Sequence, residues 1–328
     1  MKILVTGAAG FIGHHLVARL LTQDNEITIL DRLDHSGNLN RLAEIGAIGN
    51  VRFAYHDLRA GINSQLAAQL GRQDWIVHMA AATHVDRSIS DPMSFVQDNV
   101  VSTCNILEYA KQVQSRFLYF STDEVFGPAP SGVRYKEDDR YHSTNPYAAT
   151  KAGAEELCVA YHNTYKLPVI ITHTMNVFGQ RQHPEKFIPN TIVKVRDGKT
   201  VTIHADASRT KAGSRFYIHA QSVADAVCFL FDHGKAGEKY NIVGEREVDN
   251  LELAQLIAKY VGKTLKYEMV DFHSQRPGHD LRYALDGYKM AKMGWRPPST
   301  FEDSLMQTVR WTLASPKWLL DSPLKVAA

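Results

Sequence analysis

Short apolar runs recur through the first half of the chain, and between them apolar residues return every three or four positions. Lys2–Val5, Ile27–Leu30, Val51–Tyr55, Trp75–His78, Phe117–Phe120 and Val169–Thr172 are continuous enough to be buried strands. Phe11–Leu21, Phe95–Lys111 and Ala148–Tyr165 carry helical spacing between them. Strands without polar alternation, separated by helices, belong to a doubly wound parallel α/β sheet with helices on both faces. After about Asn176 turn residues multiply, helices shorten and strands lose regularity. The expected organisation is a first domain over 1–175 and a smaller α/β domain over 176–328, with part of the later chain returning to the first.

Composition narrows the class. Of 328 residues, 44% are hydrophobic and 22% charged, the balance of an ordinary soluble globular chain. Lys and Arg number 37 against 35 Asp and Glu, so a net charge of +2 supplies no basic stripe for nucleic acid. The 15 histidines are scattered, and no metal site is expected. Cys104, Cys158 and Cys228 form no C-x-x-C pair, which fits a reducing compartment. Met1–Thr6 reads as a strand rather than a signal peptide, and no apolar run approaches the ~20 residues of a membrane span. A cytoplasmic protein that binds neither nucleic acid nor membrane is expected.

Chemistry enters at the first turn. Gly7-Ala-Ala-Gly10-Phe11-Ile12-Gly13 ends a strand and opens a helix. Glycines there permit a tight turn and close backbone approach to a pyrophosphate, which rests on the positive helix end of a Rossmann sheet. Asp31, 18 residues past Gly13, ends the second strand. Its carboxylate would accept hydrogen bonds from adenosine ribose hydroxyls and repel a 2′-phosphate, favouring NAD; Arg32 beside it leaves NADP open. Asp57, after the third strand, is either an adenine ligand or a loop aspartate.

Thr144-Asn145-Pro146-Tyr147 reads as a helix start, with Thr144 or Asn145 as cap and Pro146 in the first turn. Tyr147 and Lys151, four apart, share a helix face. An ammonium there is expected to lower the phenol from its reference near 10, making Tyr147 a base for a hydroxyl proton. Ser121-Thr122-Asp123-Glu124 leaves the carboxyl end of an apolar strand, where doubly wound sheets take ligands. Adjacent acids at such a place are costly unless used or paired.

Together with His78-Met-Ala-Ala-Ala-Thr-His84-Val-Asp86-Arg-Ser-Ile89, His183-Pro-Glu-Lys186 and Arg276-Pro-Gly-His-Asp280, these segments resemble the extended short-chain dehydrogenase/reductases. Within that superfamily the chain is similar to the dTDP-glucose 4,6-dehydratases, from Met1 to about residue 315. The resemblance implies that Tyr147, with Thr122 on the same hydroxyl, deprotonates the sugar 4-OH as hydride passes to NAD. Glu124 then removes the carbon-5 proton, Asp123 protonates the departing 6-hydroxyl, and hydride returns at carbon 6. Asp123 must be protonated, and burial and the Glu124 charge are expected to raise its pKa. Phe11, Ile12, Leu58, Ala80, Ala82 and Asn99 would join Gly7, Gly10, Gly13, Asp31, Asp57, Tyr147 and Lys151 around the cofactor. The second domain would bind the nucleotide sugar, with Lys186, Arg215, Arg276 and His279 on the diphosphate and Asn176, Asn241 and Glu185 as polar partners. His84 and Asp86 would lie near the sugar, although a packed core histidine is an equal reading of His84.

The resemblance also implies a homodimer through the helices Pro92–Lys111 and Pro146–Tyr165, whose Val96, Val100, Leu107, Leu157 and Tyr161 serve either that contact or the core. Two stretches depart from the family. The loop from Gly127 to Thr144 is short and closer to the dehydratase part of plant UDP-rhamnose synthases, and Ala205–Ser214 is longer and richer in cations, with Arg209 and Lys211 in reach of a diphosphate or of solvent. Both leave the nucleotide and sugar open. A nucleotide-sugar 4-epimerase, a uronate decarboxylase and a cofactor-binding regulatory protein without turnover remain as rivals; the Asp123-Glu124 pair speaks against the first, Asp123 itself against the second, and the five reactive residues together against the third.

Overall fold

The computed structural model describes residues 1–271 and 281–319, and its centre is a seven-stranded parallel sheet. Its strands are β1 (Lys2–Thr6), β2 (Glu26–Asp31), β3 (Arg52–Tyr55), β4 (Trp75–His78), β5 (Arg116–Thr122), β6 (Val169–Thr174) and β7 (Lys239–Ile242). They lie in the order β7-β6-β5-β4-β1-β2-β3, every neighbouring pair parallel. The six expected strands all form, Trp75–His78 with the expected ends and the others with ends moved by one or two residues. From β1 the chain winds one way to β2 and β3, and from β4 it winds the other way. That reversal opens a crevice outside the carboxyl ends of β1 and β4, where such sheets take ligands.

Apolar stripes on four helices cover the sheet. On one face Leu16, Val17 and Leu20 of α1 (Phe11–Leu21) pack with residues of a late helix over Val5, Ile29 and Val77. On the other, Ile106, Leu107 and Ala110 of α2 (Ser102–Val113) meet Ala154 and Cys158 of α3 (Pro146–Tyr165) over Leu4, Ile76, Phe117 and Ile171. The late helix is α4 (Ala220–His233), which contributes Val223, Val227 and Leu230. Each such side chain, fully buried, contributes about 1.5–3 kcal/mol. Leu107 and Tyr161, open between core and subunit contact, are 0% and 8% exposed and belong to the core.

One expected helix is broken. Phe95–Lys111 resolves into a short turn over Pro92–Phe95, a π-helical stretch over Val96–Val101, and α2. Apolar spacing cannot register one wide turn, because the stripe on either side continues. The wide turn aims buried Asn99 at the loop after β4, where its amide exchanges hydrogen bonds with Ala82 N (2.8 Å) and O (3.1 Å) and donates to Thr150 Oγ1 (2.9 Å).

Beyond residue 176 the chain returns to the sheet through α4 and β7, and also builds short strand pairs away from it. Val177–Phe178 pairs with Ile218–His219, Ser214–Phe216 with Glu247–Asp249, and Val201–Ala205 with Tyr267–Asp271. Helices Phe187–Arg196, Asn250–Val261 and Phe301–Ala314 close a separate apolar cluster around Ile192, Leu253, Ile257, Leu305 and Val309. No helix of the described residues is long and apolar enough to cross a membrane.

Candidate active site

The glycine turn is shaped by what a side chain would strike. A Cβ on Gly7, at φ +70°, would lie 2.7 Å from Ala80 Cα and N. A Cβ on Gly13 would meet Gly7 O at 2.4 Å and Ala8 Cα at 2.7 Å. Backbone therefore packs on backbone, and α1 begins at Gly10 with no side-chain cap on its first N–H groups, the arrangement that suits a pyrophosphate. Phe11 and Ile12 form that first turn. Thr6 Oγ1 accepts from Met79 N and Ala80 N, both at 3.2 Å, and so fixes the loop of Ala80 and Ala82 against the turn.

Asp31 closes β2 with its carboxylate held by Ala9 N (3.0 Å) and Leu33 N (2.9 Å), and burial raises its pKa. Arg32 is bound by Asp98 through two bonds (2.6 and 2.8 Å), by Asp34 (2.9 Å) and by Asp57 (3.4 Å). A guanidinium shared among three carboxylates is poorly placed to receive a 2′-phosphate, so these residues fit NAD better than NADP. Asp57 is also held by Arg59 at 2.8 Å; burial works against its charge, but these cations prevail and hold it at about 2. It is a paired aspartate of the turn, beside buried Leu58.

The residues expected to react meet where β5 ends. Thr122 caps a 3₁₀ turn, Asp123–Phe126, accepting from Glu124 N (3.4 Å) and donating to Asp123 Oδ1 (3.1 Å). Asp123 is 5% exposed, and its Oδ2 has no hydrogen-bond partner among the described residues. Burial pushes its pKa up to about 6 against the pull of Arg215, Thr122 and His173. Burial is the leading cause, as expected, while the Glu124 charge expected beside it is not among the largest. Glu124 is tied by Asn145 Nδ2 (3.1 Å), and the same Asn145 caps α3 by accepting from Ala148 N (2.8 Å). One amide thus couples the carboxylate to the helix that carries Tyr147, a role the sequence did not disclose beyond the cap.

Tyr147 is buried, with its N–H on Ser88 Oγ (3.1 Å) and its phenol within electrostatic reach of Thr122. Lys151 donates to Phe120 O (2.7 Å) and lies 4.2 Å from the Tyr119 ring centroid. The expected lowering of the phenol by this ammonium does not hold. Burial, then the Glu124 charge, raise Tyr147, with Thr122 opposing; burial also pushes Lys151 down to about 7, which weakens the cation meant to help.

The expected substrate residues divide. His84 caps the helix Val85–Ser90 and its Nε2 lies 3.7 Å from Glu185, which also faces His183 (3.6 Å), Arg87 (3.8 Å) and Lys186 (3.8 Å). The packed-core reading of His84 is therefore set aside, and the His78–Ile89 and His183–Lys186 segments join into one polar cluster. Asp86 is exposed in the first turn of that helix, and Asn176 is exposed after β6. Arg215 donates to Ser214 O and Leu281 O, lies over Tyr283 and reaches Asp123 electrostatically. Arg209 and Lys211 are exposed on a turn folded around Asp206.

Asn241 corrects the sequence reading. It is 0% exposed, its amide donates to Tyr135 O (3.0 Å) and Asp286 O (3.1 Å), and its oxygen faces His173 Nδ1 (2.9 Å). A strand residue enclosed by β6 has no face for a substrate. Arg276 and His279 lie outside the described residues.

Comparison with known proteins gives a consistent frame. The family model described as GDP-mannose 4,6 dehydratase matches residues 4–308. A dTDP-glucose 4,6-dehydratase of Streptomyces niveus is 38% identical, over 99% of this chain and 96% of its own length. The trifunctional UDP-glucose 4,6-dehydratase/UDP-4-keto-6-deoxy-D-glucose 3,5-epimerase/UDP-4-keto-L-rhamnose-reductase of Arabidopsis thaliana is also 38% identical, the match covering 97% of this chain and 48% of that one. Among solved structures, DesIV, a dTDP-glucose 4,6-dehydratase from Streptomyces venezuelae with NAD and TYD bound, superposes with a TM-score of 0.88 at 38% identity, over 97% of this chain and 98% of that one.

Proposed function

This chain belongs to the GDP-mannose 4,6 dehydratase family, and on that premise we propose how its residues divide the work on a glucose carried by dTDP or UDP. The protein is an NAD-dependent nucleotide-sugar 4,6-dehydratase, a hydro-lyase that makes a 4-keto-6-deoxy sugar. Bound NAD supplies the acceptor for the carbon-4 hydride and the donor that returns it at carbon 6. Tyr147 takes the proton of the sugar 4-hydroxyl, and Thr122 bonds the same oxygen. Once carbon 4 is a ketone its neighbour is acidic, and Glu124, oriented by Asn145, removes the carbon-5 proton and later restores it. Asp123 protonates the 6-hydroxyl, which leaves as water. After one turnover Tyr147 holds one proton more and Asp123 one fewer. Thr122, which donates to Asp123 and acts on the Tyr147 phenol, is the proposed path that returns the proton from Tyr147 to Asp123.

The observation that carries this reading is Asp123: a carboxylic acid in a buried site, poised near 6 beside a second carboxylate. A 4-epimerase stops at the ketone and needs no such acid. Deuterium placed on carbon 4 is expected at carbon 6 of the product; retention at carbon 4 would exclude elimination through these residues. Support for the nucleotide comes from two sides, since the bacterial relative is a dTDP-glucose enzyme and the plant relative acts on UDP-glucose. Product analysis across dTDP-, UDP-, GDP- and CDP-hexoses decides between them, with Lys186 and Arg215 as the proposed diphosphate ligands. The nucleotide sugar would lie between units 1–175 and 176–328.

A homodimer belongs to the same proposal. Ile89 and Met93, 44% and 63% exposed on the short helices leading into α2, support a subunit contact there, and light scattering that gives the mass of one chain would reject it. Cytoplasmic residence is supported by three free cysteines, and a disulfide found by mass spectrometry of the native protein would count against it.

A further inference from the structure

A charged network that the reaction scheme does not use lies directly behind the acid. Ser121 of β5 pairs in register with His173 of β6, two positions before Asp123, and Phe126 of the Asp123 turn packs edge-on against the His173 ring at 4.8 Å between centroids. His173 and Glu155 are both 0% exposed. Glu155 follows Lys151 by four residues on α3 and therefore lies on the same helix face, one turn further along.

The hydrogen bonds around His173 assign its protons. Asn241 Nδ2 donates to two backbone carbonyls, which turns its oxygen toward His173 Nδ1 at 2.9 Å, so Nδ1 carries a hydrogen. Nε2 faces both oxygens of Glu155, at 3.1 and 3.2 Å. Burial alone would raise Glu155, but His173 and Lys239, the latter at 3.0 Å, outweigh it and keep it an ionised acceptor. Tyr141 also donates to Glu155, and Lys239 to Tyr141 at 2.6 Å. With acceptors on both nitrogens, the ring is an imidazolium. Lys239, Glu155 and His173 then sum to one positive charge; Glu137, which accepts from Asn241 N at 3.0 Å and also interacts with His173, is pushed by burial toward its neutral acid, and both ring nitrogens are engaged away from Asp123.

We propose that His173 is a positioning residue of the dehydratase, a fixed cation behind Asp123 that makes this acid a readier proton donor to the leaving hydroxyl. The proposal rests on the reading of Asp123 as the acid. It acts through space rather than by proton transfer, and the short, water-poor path between the two strands makes the field effective. Asp123 is faced by Thr122 and Glu124 on its own turn, Tyr147 on α3, Arg215 from the strand Ser214–Phe216, and His173 on β6. Burial alone would make Asp123 a weak acid that holds its proton too firmly; the two cations correct this, and His173 does so without occupying the space the sugar needs.

The test follows the carboxylic C=O stretch of Asp123 in the NAD-loaded enzyme by infrared difference spectroscopy across pH, the band being identified by its absence from Asp123→Asn. In His173→Gln the pH at which the band is lost should rise by about one unit, a tenfold weaker acid. His173→Phe, a neutral ring that removes the same single charge, should move the band the same way; it carries the test alone if His173→Gln does not fold. A band that stays put or moves down overturns the proposal. A band that moves as expected while Asp123→Asn eliminates water at the normal rate would leave the field intact and remove the role of Asp123 instead.

Discussion

The proposed cofactor turn and the proposed reaction centre stand at the same carboxyl end of the sheet and are made of opposite materials. At Gly7–Gly13 the functional surface is bare backbone, and its geometry depends on atoms that are missing. At β5 it consists of ionisable side chains, Asp123, Tyr147 and Lys151, each buried and each displaced from its ordinary protonation range by that burial. The turn holds a charge that the ligand brings, so it needs only donors and space. The centre has to store and release protons, so it needs groups whose two states lie close in energy, and burial supplies that at a cost in stability. The first is damaged by adding an atom, the second by fixing a proton.

The largest expected effects lie in the centre and separate its members. Tyr147→Phe removes the base for the first step, and kcat should fall by roughly 10³–10⁴ with no NADH detectable during turnover. Asp123→Asn leaves that step intact and removes the acid of the second. Its kcat should fall by roughly 10²–10³ while absorbance of NADH rises to a visible steady state. Equal silence of NADH in both variants would merge the two roles and break the contrast within the centre.

A smaller effect is expected in the turn. Gly13→Ala places a methyl 2.4 Å from a carbonyl oxygen and 2.7 Å from a Cα, both backbone, so no side chain can give way. The cost should be about 1–3 kcal/mol of stability, read as a lower melting temperature, together with at least a tenfold weaker NAD titration. Weaker melting with unchanged NAD affinity would show that the turn is a packing feature rather than the cradle.

The same contrast explains what could be read from the sequence. The turn was legible because most of its partners are local: seven consecutive residues set the strand end, the contact of Gly13 with Gly7 and Ala8 and the helix start, and only the contact of Gly7 with Ala80 comes from a distant segment. Thr122, Asp123, Tyr147 and Lys151 were legible for a similar reason, being set by a strand end and a four-residue helix spacing. What could not be read lies where partners meet from distant segments. Asn241 looked like a substrate ligand, but pairing with β6 encloses it beside His173, 68 residues away. The direction of the Tyr147 shift was misjudged because spacing shows that Lys151 is near and says nothing about how deeply both are buried. The π-helical turn at Val96–Val101 was hidden for the reason already given, and the cation behind Asp123 needs four segments, α3, β6, β7 and the Tyr141 loop, before it exists at all.

The smallest expected effect tests whether the centre trades stability for chemistry. Folded Lys151 keeps its proton only below about 7, whereas in the unfolded chain it keeps it to about 10.5. Between those values the unfolded state binds more protons, so stability rises with pH; below about 7 the full cost of charging the buried amine is present. Lys151→Met removes that cost together with a hydrogen bond to Phe120 O, leaving a net gain of roughly 1–3 kcal/mol at neutral pH. In enzyme stripped of NAD, the variant should therefore melt a few degrees higher than the wild type at pH 7, with the difference shrinking toward pH 10, while turnover is lost. A variant that melts lower at pH 7, or a difference that grows with pH, would mean that Lys151 is held charged by its surroundings, and the reaction centre would then be as well satisfied as the glycine turn.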